Sequence, residues 1–315
     1  MASLEQSSRR YLVTGGCGFI GSHLVDALIT QGHDVVILDD LSTGRTENKN
    51  PRAELIIGDT ADYATVERAL GGTDGCFHLA AVASVEKSVV EWVHTHTVNV
   101  TSTVNIFQAV SRMQKRIPVV YTSSAAVYGD CAETPIKENT DKQPLTAYGV
   151  DKYACDLHGR VAWHVHGIPT MGVRPFNIYG PRQDPASPYS GVISIFVDRM
   201  RSKQPVTIFG DGGQTRDFVF VADAVKVFVA AMTKIESASG EFDIVNICRS
   251  VPTSVRDLAD TVARLTGYDL PYNYEPPRKG DIRTSVGDSS HLHKTLGLTL
   301  GVTLPEGLEA MLGTR

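Results

Sequence analysis

Tyr148 and Lys152 stand four residues apart, and their types and spacing imply chemistry. On a helix such positions share a face, so the Lys152 ammonium comes near the Tyr148 phenol. A nearby cation lowers a phenol's pKa toward the working range. Tyr148 is thereby a candidate base for a hydroxyl proton. Upstream, Thr122-Ser123-Ser124 closes an apolar run. Serines at a strand's carboxyl end face the cofactor side of a parallel sheet, and Ser124 can hydrogen-bond the same oxygen. A bare Tyr-x-x-x-Lys is common by chance in helices, so the elements that position it decide its meaning.

Those elements begin at the amino end. Tyr11-Leu12-Val13-Thr14 reads as a strand, followed by Gly15, Gly18 and Gly21, three apart, at the start of a helix. Gly15 allows the turn, Gly18 lets backbone approach a pyrophosphate, and Gly21 lets the helix pack close on the strand. The helix start at Phe19 and Ile20 offers N–H groups and a partial positive charge to phosphate. Glycines in this pattern also make ordinary turns, and Asp39 decides between the two. It closes the second strand, where a carboxylate accepts hydrogen bonds from an adenine-ribose diol. Asp39 and Asp40 repel a 2′-phosphate and no arginine follows before Arg45, so NAD is expected rather than NADP. The expected cofactor set continues through Leu41, Ser42, Thr43 and Gly44. Asp59 and Thr60 follow the third strand, at the sheet edge where an adenine would lie. Leu79, Ala80 and Ala81 end the fourth strand with small residues that let backbone approach the cofactor. Thr122 ends the fifth. Asn99 is a further candidate, with a plain helical surface position as the alternative.

The hydropathy pattern predicts strands over 11–14, 34–38, 54–57, 76–79 and 119–122, and helices over 19–30, 61–70, 93–115 and 148–166. This βαβα rhythm implies an α/β fold with a doubly wound parallel sheet covered on both faces. A chain of 315 residues fits one large or two intimate domains.

The net charge of −5 leaves no basic footprint for nucleic acid. No apolar run is long enough to span a bilayer, and the polar first ten residues carry no secretory h-region. Five scattered cysteines, odd in number and without CxxC spacing, read as reduced thiols of a cytoplasmic protein. His94-Thr95-His96 and His164-Val165-His166 lack Cys or carboxylate partners at ligand spacing, so no metal is expected.

The set Thr14-Gly15-Gly16-Cys17-Gly18-Phe19-Ile20-Gly21, Ser124, Tyr148 and Lys152 resembles the extended short-chain dehydrogenase/reductase superfamily. Within it, Ser123-Ser124-Ala125-Ala126-Val127-Tyr128-Gly129-Asp130 is most similar to the UDP-sugar 4-epimerases, where Ala125 and Ala126 replace the acidic residues of dehydratases and decarboxylases. The resemblance implies a Rossmann-type NAD domain over 1–174, rejoined by 218–247, and a smaller α/β substrate domain over 175–217 and 248–315. It implies catalytic Ser124, Tyr148 and Lys152 and C4 epimerisation of a UDP-hexose through a 4-keto sugar. Pro175 falls beside the nicotinamide, where many epimerases carry tyrosine. The implied substrate set is Ser124, Tyr148, Asn177 on the diphosphate, Thr207 and Phe209 around uracil, Arg216 and Arg278 on the UDP, and also Val192, Asp281 and Ser285. Arginine suits the diphosphate because its planar fork bonds phosphate in two places. Ser285 stands where strict hexose epimerases have tyrosine, and its small side chain leaves room for an acetamido group. A homodimer through helices 93–115 and 148–166 is also implied. A UDP-uronate 4-epimerase, a 4-keto-reductase or a non-catalytic nucleotide-sugar binder would share most of these motifs.

Overall fold

The computed structural model describes residues 8–184, 191–237, 241–278 and 281–313. Its first half runs β1 (Arg10–Thr14), α1 (Phe19–Thr30), β2 (Asp34–Asp39), β3 (Glu54–Ile57), α2 (Tyr63–Leu70), β4 (Gly75–His78), α3 (Val85–Val90), α4 (Trp92–His96), α5 (Ser102–Arg112), β5 (Val119–Thr122), α6 (Ala147–His166) and β6 (Thr170–Pro175). The second half runs β7 (Asn177–Tyr179), α7 (Val192–Arg201), β8 (Thr207–Phe209), β9 (Thr215–Phe220), α8 (Val221–Glu236), β10 (Phe242–Ile247), β11 (Pro252–Ser254), α9 (Val255–Thr266), β12 (Asn273–Glu275), β13 (Thr284–Ser285), α10 (Ser290–Leu296) and α11 (Leu304–Gly313).

Seven strands form one parallel sheet in the order β10-β6-β5-β4-β1-β2-β3. The doubly wound expectation is met, and the order reverses at β1, where such sheets bind ligands. Leu12, Val13, Val36, Ile37, Val119 and Val120 are all but fully buried, as strands covered on both faces require. One core packs α1 and α8 on the sheet through Leu24, Leu28, Phe228 and Met232. The opposite core packs α2, α5 and α6 through Val66, Leu70, Ile106 and Cys155. A third core, around Phe196, Met200, Phe218 and Leu258, belongs to the smaller lobe. That lobe carries β7, β9, β11 and β13 in one sheet and the β8–β12 pair in another.

Several element boundaries differ from expectation by one residue, and three further differences have local reasons. The second helix begins at Tyr63 rather than 61, because the Asp62 side chain caps the N–H groups of Ala64 and Thr65. The fourth strand stops at His78, because the Leu79 N–H turns to the Thr14 hydroxyl and carbonyl. The helix expected over 93–115 is divided. α4 runs into a π-helical turn at Thr97–Thr101, then α5 stops at Arg112 as Met113 becomes extended. Single π turns inside helices concentrate at functional sites.

Candidate active site

The cofactor-side cradle is built from backbone. Gly15 has φ +68°, and a Cβ there would come within 2.9 Å of the Ala80 nitrogen. A Cβ on Gly21 would lie 2.1 Å from the Gly15 carbonyl oxygen. The loop therefore lies flat against the start of α1 and the Leu79–Ala80 ledge. The α1 N-cap, Gly18, has no side-chain cap and the first turn has no carboxylate, which leaves the amino end to an external anion. Asp39 is buried and accepts the N–H groups of Cys17 and Leu41, each at 2.9 Å. Burial raises its pKa and those two bonds oppose the shift. An ionised carboxylate has about four lone-pair sites, so two remain for a diol. Gly44 folds the following loop over it, since a Cβ there would sit 2.6 Å from the Asp39 carboxylate. A glycine cradle, an uncapped helix start and a buried carboxylate at the switch point fit NAD.

The catalytic candidates meet at the carboxyl end of β5. Thr146 caps α6 by accepting the Gly149 N–H at 3.1 Å, which phases Tyr148 and Lys152 onto the inward face. Both are buried. The Lys152 ammonium donates to the Thr122 carbonyl at 2.8 Å and lies 6.0 Å from the Tyr148 ring centroid. Ser124 is extended and its hydroxyl accepts the Ala126 N–H at 3.1 Å, capping a 3₁₀ turn over Ala125–Tyr128. A Cβ on Gly149 would meet the Ala126 carbonyl at 2.7 Å, so this turn packs directly on the first turn of α6. The Tyr148 hydroxyl makes no hydrogen bond among the described residues, which leaves it for a substrate.

Other candidates are placed differently. Asn99 is not on a helical surface. It is buried in the π turn, where its side chain accepts the Val82 N–H at 2.9 Å and donates to the Val82 carbonyl. Thr60 is turned away from a cofactor, because its hydroxyl donates to Ser102 and its carbonyl accepts from Asn105. Asp59 caps the Ala61 N–H, and Asp40 binds the Ser42 backbone and hydroxyl within its own loop. Val192 sits in the first turn of α7, packed on the third core.

In the smaller lobe Phe209, Arg278 and Asp281 line a 570 Å³ cleft. The Arg278 guanidinium lies 4.2 Å over the Phe209 ring and 3.7 Å from Glu86 of α3. Arg216 pairs with Asp281 at 2.5 Å and donates to the Ile282 carbonyl. Ser285 pairs with Arg216 across β13 and β9, Thr207 opens β8, and Asn177 is exposed in β7. Lys279 and Gly280, between the two charged residues, lie outside the described residues.

The sequence reading missed a buried network behind the catalytic face. Arg174 reaches Asp156 with two nitrogens at 3.0 and 2.8 Å, and donates to the Tyr128 hydroxyl and the Glu138 carbonyl. Tyr121 donates to Asp156, Tyr128 to Asn246, and the Asn246 N–H to Glu138. One arginine inside the otherwise apolar Thr170–Pro175 strand was the available signal, since a buried charge requires a partner.

Known proteins resemble this chain over nearly its whole length. Residues 11–248 match the family model described as the NAD dependent epimerase/dehydratase family. A UDP-glucose 4-epimerase of Mycolicibacterium smegmatis is 38% identical over 306 residues, covering 95% of this chain and 96% of its own. The crystal structure of Thermotoga maritima UDP-glucose 4-epimerase with UDP-glucose is 35% identical, with a TM-score of 0.91 and coverage of 96% and 97%. A UDP-N-acetylglucosamine 4-epimerase from Methanobrevibacter ruminantium, in complex with UDP-N-acetylmuramic acid, is 32% identical, with a TM-score of 0.90 and coverage of 98% and 99%. With the glycine cradle, Asp39 and the Tyr148–Lys152 face in one sheet, this chain belongs to the NAD-dependent epimerase/dehydratase family.

Proposed function

We propose that the chain interconverts the C4 epimers of a UDP-hexose through a 4-keto sugar. The observation that carries this reading is the buried Tyr148–Lys152 face, with Ser124 packed against it, at the switch end of an NAD-type sheet. Tyr148 removes the O4 proton and later returns it, while Ser124 hydrogen-bonds the same oxygen. Lys152, fixed on the Thr122 carbonyl 6.0 Å from the Tyr148 ring centroid, supplies positive charge near the phenol as the proton moves. NAD, when bound, would supply the hydride acceptor for C4 and the donor for its return. Gly15 to Gly21, Asp39, the 41–44 loop and the Leu79–Ala81 ledge hold the cofactor. Arg216, Arg278 and Asn177 hold the diphosphate while the keto sugar turns, a positioning role. Phe209 and Thr207 flank the base, and Ser285 leaves room for an acetamido group, so both plain and N-acetylated UDP-hexoses are substrates. The first 174 residues, with α8 and β10 of the expected 218–247 return, form the NAD domain, whereas β9 stays in the smaller lobe's sheet and the remainder binds the substrate.

The same reading gives a homodimer. Val89, Val90, Trp92 and Val93 on α3 and α4, with Val150, Leu157, Val161 and Val165 on α6, are exposed, and an apolar patch of this kind suits a protein interface. The five cysteines are unpaired, in keeping with a cytoplasmic enzyme. Among the described residues no helix is long and apolar enough to cross a membrane.

The test is to incubate the purified protein with each UDP-sugar pair, adding no nicotinamide cofactor, and to resolve the C4 epimers. Turnover of both pairs is expected. Stoichiometric consumption of added NAD(P)H would instead identify a reductase, and interconversion of UDP-glucose and UDP-galactose alone would refute the role of Ser285.

A further inference from the structure

Hydrogen-bond counting beneath the cofactor ledge fixes the proton positions of a buried histidine. His78 ends β4, beside Thr14 of β1, and is 4% exposed. Its Nδ1 lies 2.8 Å from the Thr14 hydroxyl oxygen, and its Nε2 lies 3.1 Å from that of Thr103. The Thr14 oxygen also receives the N–H groups of Leu79 and Ala80, both at 3.1 Å, the first shared with the Thr14 carbonyl. A hydroxyl has one proton and two lone pairs. With both lone pairs filled by the ledge, the Thr14 proton points at Nδ1, and the ring must carry its own proton on Nε2. That proton goes to Thr103, whose hydroxyl donates at 2.8 Å to the Asn99 carbonyl in the π turn. The Cys155 thiol of α6 lies 3.2 Å from the same Thr103 oxygen.

The bonds thus run in one direction, from the Leu79–Ala80 ledge through Thr14, His78 and Thr103 to Asn99. The ledge touches Gly15, and Cys155 is one turn from Lys152 on α6. A proton added at Nδ1 would face an oxygen with no lone pair left and would place a second cation near Lys152. Burial first, then the Lys152 charge, lowers the imidazole pKa to about 3, in agreement with the geometry.

We propose that His78, fixed in its Nε2–H tautomer, is a positioning residue that registers the cofactor ledge against the π turn and the α6 face bearing Tyr148 and Lys152. It touches neither substrate nor reacting atoms. Its kinetic consequence rests on the epimerase reading, whereas the tautomer does not.

Imidazole ¹⁵N spectra of the unmodified protein, with His78 assigned through contacts to Thr14 and Thr103, test the tautomer. An unprotonated Nδ1 and protonated Nε2 are expected, unchanged between about pH 8 and pH 5. A protonated Nδ1, or a ring that titrates in that interval, overturns the proposal. His78→Phe removes both bonds, whereas His78→Asn keeps an amide oxygen for the Thr14 proton. A kcat roughly tenfold lower is expected for His78→Phe, with KM for the UDP-sugar within about twofold, and partial recovery in His78→Asn. An unchanged kcat in His78→Phe, or equal losses in both variants, also overturns it. Absence of epimerisation by the unmodified protein would defeat the functional reading and leave the tautomer result standing.

Discussion

Arg174 and Arg278 carry the same guanidinium into two regions that treat it in opposite ways. Behind the catalytic face Arg174 is 3% exposed, doubly bonded to an equally buried Asp156 and tied to Tyr128 and Glu138. In the cleft of the smaller lobe Arg278 is 58% exposed and rests on the Phe209 ring, 3.7 Å from Glu86. A buried ion pair is costly to break, because removing one partner strands the other without water. A wet pair contributes little and is readily exchanged for another anion. The first region is finished before any ligand arrives. In the second, charges are kept solvated and are free to re-pair with a diphosphate.

The sharpest test of this contrast is Tyr148→Phe, which removes the proposed base without touching the cleft. It is expected to lower kcat by roughly 100- to 10,000-fold while UDP-sugar binding, read by calorimetry, stays unchanged. A near-normal rate would remove the chemistry from this region. Asp156→Ala strands Arg174 and is expected to cost about 3–5 kcal/mol of stability in urea unfolding. A change under about 1 kcal/mol would place Arg174 with the solvated arginines.

The two regions also differ in the sign of their response to acid. His78 has a pKa lowered to about 3 by burial and by Lys152. Its stabilisation is present above the free imidazole value of about 6.5 and is lost as pH falls toward 3. Asp217, at the base of the smaller lobe, accepts the N–H groups of Arg249, Ser250 and Gly287, yet burial raises its pKa to about 6. Its contribution is present below about 3.8 and is lost as pH rises through 6. Asp217 therefore offsets part of the acid loss, by up to about 3 kcal/mol. Asp217→Asn should steepen the fall in urea midpoint between pH 6 and 4, and His78→Asn should flatten it. The reverse order would invalidate the assignment of sign.

The smallest expected effect comes from Arg278→Ala. KM for the UDP-sugar should rise about tenfold, as for one lost charge-assisted contact, with stability within about 0.5 kcal/mol of the parent. A stability loss above about 2 kcal/mol would mean that the cleft is as tightly built as the Arg174 network.

Much of the sheet was legible because its strands are short apolar runs punctuated by glycine and acidic residues. The spacing of Gly15, Gly18 and Gly21 with Asp39, and of Tyr148 with Lys152, depends on local backbone geometry and carries into the fold unchanged. What sequence does not expose is pairing across it. Thr60 and Ser102 are distant in the chain, and only the packing of α5 shows that the Thr60 hydroxyl is already committed. The π turn at Asn99 is hidden for a similar reason, since its carbonyl is held by Thr103 and by Cys155 of another helix. Arg174 and Asp156 each resemble an ordinary charged residue until β6 and α6 are brought together.

The sheet's outermost strand has a consequence for how the chain is made. β10 pairs with β6 along its whole length, yet it is synthesised after β7, β8, β9 and α8. The end of β6 is residue 175 and the end of β10 is residue 247, a gap of 247 − 175 = 72 residues. At ribosomal speeds of about 5–20 residues per second, β6 waits roughly 4–14 s with one row of N–H and C=O groups unpaired. During that interval a new chain presents an open sheet edge to its neighbours on the same message. Slowing translation between these two strands should therefore increase aggregation more than slowing it after residue 247.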